Sequence, residues 1–351
     1  MNVVSNRLKT RLMWAGDPLR GGFERLQMGV ALDGPTLGLD PRIEAAFAAE
    51  NPFALRPHLV VLALMGSHSH GTYFPPEEPD AVDDVDLMGF VVPPLDYHLG
   101  VPRWEHWRFQ EEELDVVLYS LDKAVRLLLK SNPNIVGLLW LRENEYVYRH
   151  PVFESMLEGR EIFSSLAASE SFAGYAADQL KRMESFDLER MDEYETLTAQ
   201  IRRHGGVEDV LKSDYNKLVF FATEWDVDVE VLRRFRTLHH SHFSGYMGAK
   251  RKAMVRKYGY DVKNAAHLIR LLRMGIEFLE TGRLRVFRDE DGEELISIKR
   301  GEWSLAEVKA EAQRLFELVG PARDASSLPA QPDEEAANAL LVRMHREMLA
   351  V

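Results

Sequence analysis

The sequence contains no cysteine. Disulfides, thiolate nucleophiles and cysteine zinc sites are therefore excluded. It also lacks any apolar run near the roughly 20 residues that a bilayer-spanning helix requires. Residues 1–16 mix Arg7, Lys9 and Arg11 with isolated apolar residues and offer no continuous apolar core of a secretion signal. The expected setting is cytoplasmic, with no membrane partner. A basic excess is missing as well. The net charge is −13, which argues against a surface coated in nucleic acid. Against these absences, an apolar fraction of 46% and a charged fraction of 28% describe an ordinary globular chain. Its 351 residues suit one large or two medium domains.

The charge is unevenly spread. Between Val231 and Arg273 stand eleven basic residues against a single acid, Asp261. One basic segment in an acidic chain reads either as a focused anion site or as a solvated helix face.

Residues 1–57 are broken repeatedly by glycine and proline and read as an irregular N-terminal extension. One short helix is expected there over Pro41–Glu50, capped by Asp40. Residues 58–150 carry the strand patterns: His58–Met65, Val85–Val92, Trp104–Gln110 and Leu114–Tyr119, with a loop over Gly66–Val82. Helices are expected over Leu121–Lys130 and from about Asn132 to Trp140. Residues 151–320 turn mainly helical, with segments at Glu170–Leu188, Tyr215–Trp225, Phe235–Tyr258, Asn264–Thr281 and Ser304–Val319. Ser304 and Glu307 form a capping-box pattern, and Gly282 fits a helix C-cap. Asp291-Gly292 between two apolar runs signals a β-hairpin over Leu284–Ile298. Residues 321–351 read as a linker, Ala322–Pro332, and a final amphipathic helix, Asp333–Ala350. Its candidate apolar positions are Ala336, Leu340, Val342, Met344 and Met348.

The chemistry concentrates in two stretches. The apolar run Val60–Met65 ends in Gly66-Ser67. After the loop follows Asp84-Val85-Asp86-Leu87. Alternate residues of a strand share a face, so Asp84 and Asp86 point the same way. Paired carboxylates repel unless a cation neutralises them, and Mg²⁺ with its preference for oxygen ligands is the natural candidate. Asp115 supplies a third acid on a later strand. Three converging carboxylates can hold two metal ions about 3.5–4 Å apart, the arrangement used in phosphoryl transfer. Gly66 lets backbone approach a phosphate, and Ser67 offers a hydroxyl and an N–H. Each piece alone reads as a turn or a solvated strand end. Their order raises the functional reading.

Gly66-Ser67 with Asp84-x-Asp86 resembles the signature of the DNA polymerase β-like nucleotidyltransferase superfamily. The blocks Gly66–Thr72, Asp115–Lys123, Lys130–Asn134 and Tyr260–Leu272 further resemble the predicted-nucleotidyltransferase family called YcgL or RlaP. These blocks span residues 60–285. The resemblance implies an α+β fold: a polymerase β-like mixed sheet with helices, followed by a mainly helical C-terminal domain that closes over the nucleotide. It implies transfer of a nucleoside monophosphate from an NTP to an acceptor hydroxyl, with release of pyrophosphate. Carried over by position, Asp84 and Asp86 bind two Mg²⁺ ions, with Mn²⁺ as the substitute. Asp115 binds the catalytic ion beside the acceptor hydroxyl. Gly66 and Ser67 hold the triphosphate. His70 departs from the pattern, standing where an aromatic is common. The family name points to RNA repair.

Lys263, His267 and Arg270 fall at i, i+4 and i+7 and share one helix face, suited to nucleotide phosphates or to solvent. His68 and His70, and separately His239, His240 and His242, could ligate zinc or act as donors. Trp104, Trp107 and Tyr119 read as core or as a nucleobase platform. The acceptor is RNA, a protein hydroxyl or a small molecule. Two other readings stand beside this one: a protein-modifying enzyme of toxin–antitoxin type, and a non-catalytic nucleotide- or RNA-binding module.

Overall fold

The computed structural model describes residues 39–49, 51–74, 83–184, 188–240 and 249–350. Most of the expected N-terminal extension, the loop segment 75–82, residues 241–248 with His242, and Val351 lie outside the described residues.

Among the described residues, five strands build one mixed sheet: β1 (Leu59–Leu64), β2 (Val85–Val91), β3 (His106–Glu111), β4 (Leu114–Ser120) and β5 (Tyr146–Arg149). Their order is β3-β4-β2-β1-β5. The β2–β4 pair is parallel and the other pairs are antiparallel. The helices are α1 (Pro41–Ala48), α2 (Gly66–His70), α3 (Asp96–Leu99), α4 (Leu121–Leu128), α5 (Pro133–Val136), α6 (Glu154–Glu158), α7 (Ala167–Glu184) and α8 (Leu188–Arg202). They continue with α9 (Val207–Lys212), α10 (Tyr215–Glu224), α11 (Val229–Leu238), α12 (Ala249–Tyr258), α13 (Val262–Thr281), α14 (Gly292–Lys299), α15 (Leu305–Ala325) and α16 (Glu334–Leu349).

Strand alternation divides the sheet into two faces. Leu114, Val116 and Leu118 of β4 join Leu62, Leu64 and Leu87 in a cluster closed by Ile43 and Phe47 of α1. Trp104 and Trp107 pack there, which settles them as core on the face away from the cleft described below. The opposite face carries Val61, Ala63 and Phe90 into the main cluster, where α13 and α7 cover it. Asp86 lies four residues before Phe90 on β2, so it shares that helix-covered face. Burying an aliphatic side chain contributes about 1.5–3 kcal/mol, so the continuously buried run of β1 anchors the sheet. A third cluster, around Leu218, Leu232 and Phe235, belongs to the helices between residues 194 and 235.

Local signals explain most helix ends. The Asp40 carboxylate accepts from the Arg42 N–H at 2.8 Å, with Pro41 in the first turn of α1. Asp261 caps α13 through the Asn264 N–H at 3.0 Å, and Gly282 ends it at φ 68°. Ser304 and Glu307 complete the capping box of α15.

The structure corrects several expectations. There is no hairpin over Leu284–Ile298. Residues Gly292–Lys299 form α14, because Leu295 and Ile298 sit three apart on one buried side, with Glu293 and Glu294 in the favourable first turn. Asp291 is held by Arg273 at 3.1 Å and Arg288 at 2.7 Å, so it serves an ion network and not a tight turn. Gly66 begins a helical turn, α2, where a loop was expected. Of the helix expected over Phe235–Tyr258, the parts up to Leu238 and from Ala249 are helical, and residues 241–248 between them lie outside the described residues. The linker expected over Ala322–Pro332 starts later, because α15 continues through Pro321 to Ala325. Its remainder is tied down: the Leu166 N–H donates to the Pro329 carbonyl at 2.9 Å, and the Ser326 hydroxyl donates to the Leu279 carbonyl. In α16 the buried positions are Ala337, Leu340 and Met344, while Val342 is exposed. Strand β5 has no counterpart among the expected elements.

Candidate active site

The parallel register places Asp86 of β2 directly beside Asp115 of β4. Asp84 lies one residue before β2 and is half-buried; Asp83 beside it is buried. Gly66 follows the end of β1, and the Met65 N–H donates to the Asp86 carbonyl at 2.8 Å. Gly66 adopts φ +62°, and a Cβ there would fall 2.0 Å from the Asp86 carboxylate. Both facts require glycine. The Ser67 hydroxyl is buried at the start of α2 with no hydrogen-bond partner among the described residues. An orphaned donor of this kind costs energy unless a ligand meets it.

A cleft of about 370 Å³ lies between the sheet and α13. Gly66, Ser67, Asp86 and Asp115 line it from the sheet side. Lys263, His267 and Arg270 line it from α13, so the expected shared face is real. Tyr119 and Asn134 also line it, so Tyr119 lies on the sheet face opposite the two half-buried tryptophans. Of the residues expected to bind metal or nucleotide, Asp84 alone is absent from the cleft wall. Its charge still acts on Asp86.

The Asp86 carboxylate is electrostatically strained. Burial pushes Asp86 up to about 6; Lys263 opposes this, and Asp115, Asp84 and Asp83 add to it. Asp115 accepts two hydrogen bonds from the Arg108 guanidinium, at 2.9 and 2.6 Å. Arg108 is 57% exposed on the edge strand β3. Asp83, which sequence reasoning passed over, is the counterpoint. Burial would raise it, but Lys299 and Lys263 outweigh burial and hold it below the usual carboxylate range. Its carboxylate lies 3.1 Å from Lys263, takes an ion pair from the buried Lys299, and accepts the Phe74 N–H at 2.9 Å.

On the cationic side, burial and then Arg288 lower Arg270 to about 9, which leaves it charged at neutral pH. Its guanidinium contacts the Met274 sulfur at 3.3 Å, and no carboxylate among the described residues pairs with it. Burial and Arg270 hold His70 neutral. Its Nδ1 lies 3.0 Å from the Val286 carbonyl. A carbonyl only accepts, so Nδ1 carries the proton and Nε2 a lone pair. His70 is therefore not a charged phosphate donor.

The other histidine expectations resolve similarly. His68 and His70 lie on the helical turn α2, not on a strand. The His68 ring packs 3.7 Å from Tyr73, and burial lowers it to about 4. His239 pairs with the Tyr194 hydroxyl at 2.9 Å. Much of the basic segment is paired away from the cleft. Arg234 meets Glu193, Arg256 meets Asp192 and Glu195, and Arg273 meets Asp291, Glu294 and Glu311.

This arrangement, a mixed sheet with paired acids on two parallel strands beside a Gly-Ser turn and a helical region after it, is the one expected of the polymerase β-like nucleotidyltransferase class. Within that class, residues 44–197 match the sequence model of the family described as RlaP, the RNA repair pathway DNA polymerase beta family. The motifs that first pointed to this family between Gly66 and Asn134 lie inside the matched segment. Among solved structures, a nucleotidyltransferase-like protein from Exiguobacterium sibiricum is similar at 10% identity and a TM-score of 0.24. The similarity covers 88% of this chain and 76% of that one. Comparison with curated proteins finds no match.

Proposed function

We propose that the protein is a divalent-metal-dependent nucleotidyltransferase that moves a nucleoside monophosphate from an NTP to an acceptor hydroxyl of RNA. The observation that carries this reading is the register of Asp86 against Asp115, facing Lys263 and Arg270 across one cleft. The donor set fits a hard cation. It is all oxygen, and Asp86, raised first by burial and then by Asp115, Asp84 and Asp83, is a carboxylate that a cation would help to ionise. Asp86 and Asp115 would hold Mg²⁺ or Mn²⁺, with Asp84 at the margin. When bound, the ions supply Lewis-acid polarisation of the phosphoryl oxygens and activation of the attacking hydroxyl.

The protein's own groups do the rest. Arg270 and Lys263 bind the triphosphate and offset charge developing on it. The Ser67 hydroxyl gives its unpaired hydrogen to a phosphate oxygen, and Gly66 keeps that approach open. Tyr119 offers an aromatic face within the cleft. Arg108 is a partner more than half exposed on the edge strand β3, where it can swing into solvent. It therefore yields Asp115 readily to a cation.

The acceptor is tested by partition of label. Full-length protein is incubated with α-phosphate-labelled NTPs, Mg²⁺ and cell extract. Label in RNA supports the proposal. Label in protein moves the acceptor to a protein hydroxyl. No label in any fraction, with Asp86→Asn indistinguishable, leaves a nucleotide-binding module.

A further inference from the structure

A second polar cluster lies apart from the cleft, where α3, α4 and α16 meet. His98 of α3, Asp122 of α4 and His345 of α16 bring one side-chain atom each within 4.8 Å of one another. His98 Nδ1 is 3.5 Å and His345 Nε2 is 3.4 Å from the same Asp122 oxygen. The two rings stand at 88° with centroids 4.7 Å apart.

The outer ring nitrogens are already committed. His98 Nε2 lies 3.0 Å from the Pro93 carbonyl, and His345 Nδ1 lies 2.8 Å from the Leu341 carbonyl. Carbonyls only accept, so these nitrogens carry the protons. In the neutral imidazoles, His98 Nδ1 and His345 Nε2 then turn lone pairs towards Asp122, itself an acceptor. In that state three acceptors converge with no donor between them. His345 Nε2 is buried without a hydrogen-bond partner. Histidine metal ligands characteristically give their other N–H to a carbonyl or carboxylate, as both do here.

We propose that His98, Asp122 and His345 form a Zn²⁺ site that fastens the C-terminal helix α16 to α4, the helix that follows the Asp115 strand. Zinc–ligand distances of about 2.0–2.1 Å put tetrahedral ligand atoms about 3.3 Å apart. The two edges at Asp122 already match that spacing to within a few tenths of an ångström. Two imidazole nitrogens favour zinc over Mg²⁺ or Ca²⁺. Asp122 is 31% exposed, which leaves the fourth position open to water.

The test uses the full chain, stripped with chelator, loaded with ZnCl₂, desalted and assayed for bound metal, with Co²⁺ absorption as a second report of coordination. The expected result is about one zinc per chain, with a rise in Tm on loading. His98→Gln and His345→Gln, on separate elements, each weaken zinc at least about 10-fold and abolish the Tm rise. Asp86→Asn, in the cleft, keeps the zinc. Absence of bound zinc in the unaltered protein overturns the proposal and leaves a protonated histidine paired with Asp122. Zinc retained in either histidine variant also overturns it, because the metal is then held elsewhere.

Discussion

Asp83 and Asp86 are three residues apart, and burial pushes both carboxyl groups up, yet they end on opposite sides of the usual carboxylate range. Asp83 is closed. Lys299 and Lys263 pair with it, a backbone N–H donates to it, and it is held ionised. Asp86 is open. It faces Asp115, Asp84 and Asp83, Lys263 opposes them, and with burial it is raised to about 6. Asp83 ties the sheet to α13 and α14 through two lysines. Asp86 keeps unspent charge at the cleft. Burial alone does not mark a functional acid; the balance of charges around it does.

The largest effect that would break this contrast is on activity. Asp86→Asn should lower nucleotide transfer by on the order of 1,000-fold, read in a steady-state pyrophosphate assay, while the fold persists by circular dichroism. Next is stability. Lys299→Met strips the closed acid of its buried partner and should destabilise by about 3–5 kcal/mol, read by urea unfolding. A loss below 1 kcal/mol would show that Asp83 does not depend on Lys299.

The third prediction has the opposite sign. The folded value of Asp86, about 6, lies above its ordinary 3.8. The native state thus holds a proton that the unfolded chain releases, and stability falls as pH rises from about 4 to about 6. Without metal, Asp86→Asn should be more stable than the parent by up to about 3 kcal/mol at pH 7. The difference should vanish near pH 4, as followed by urea unfolding across pH. Smaller again, Lys263→Ala should weaken NTP binding about 10-fold, measured by calorimetry; unchanged affinity would remove Lys263 from the phosphate site. The smallest effect is at Arg108. Arg108→Ala should tighten Mn²⁺ binding by a few-fold, because the exposed pair it removes is weak.

The sequence made legible whatever rests on neighbours in the chain. The apolar run of β1, the Gly66-Ser67 turn and the caps of α1, α13 and α15 are local signals, and the structure has them. The shared face of Lys263, His267 and Arg270 follows from helix period alone. What escaped depends on distant pairing. Asp83 meets Lys299 across 216 positions, and no spacing rule connects them. Its one local sign was the acid run Asp83-Asp84. Arg108 reaches Asp115 only once β3 and β4 pair in register. Asp291-Gly292 carried a strong turn signal, but Arg273 and Arg288 captured the aspartate and the next residues coiled. Strand β5 is four residues long with one buried position, too short for alternation to show.

The central claim is that the open acid, Asp86, with Asp115, forms a cation-dependent transfer centre. The most direct measurement is Mg²⁺-dependent pyrophosphate release from NTP in the presence of RNA, with unaltered protein and Asp86→Asn side by side. Release that requires Mg²⁺ and disappears in Asp86→Asn is the predicted result. Equal release by the two proteins, or release undiminished by chelator, would contradict it.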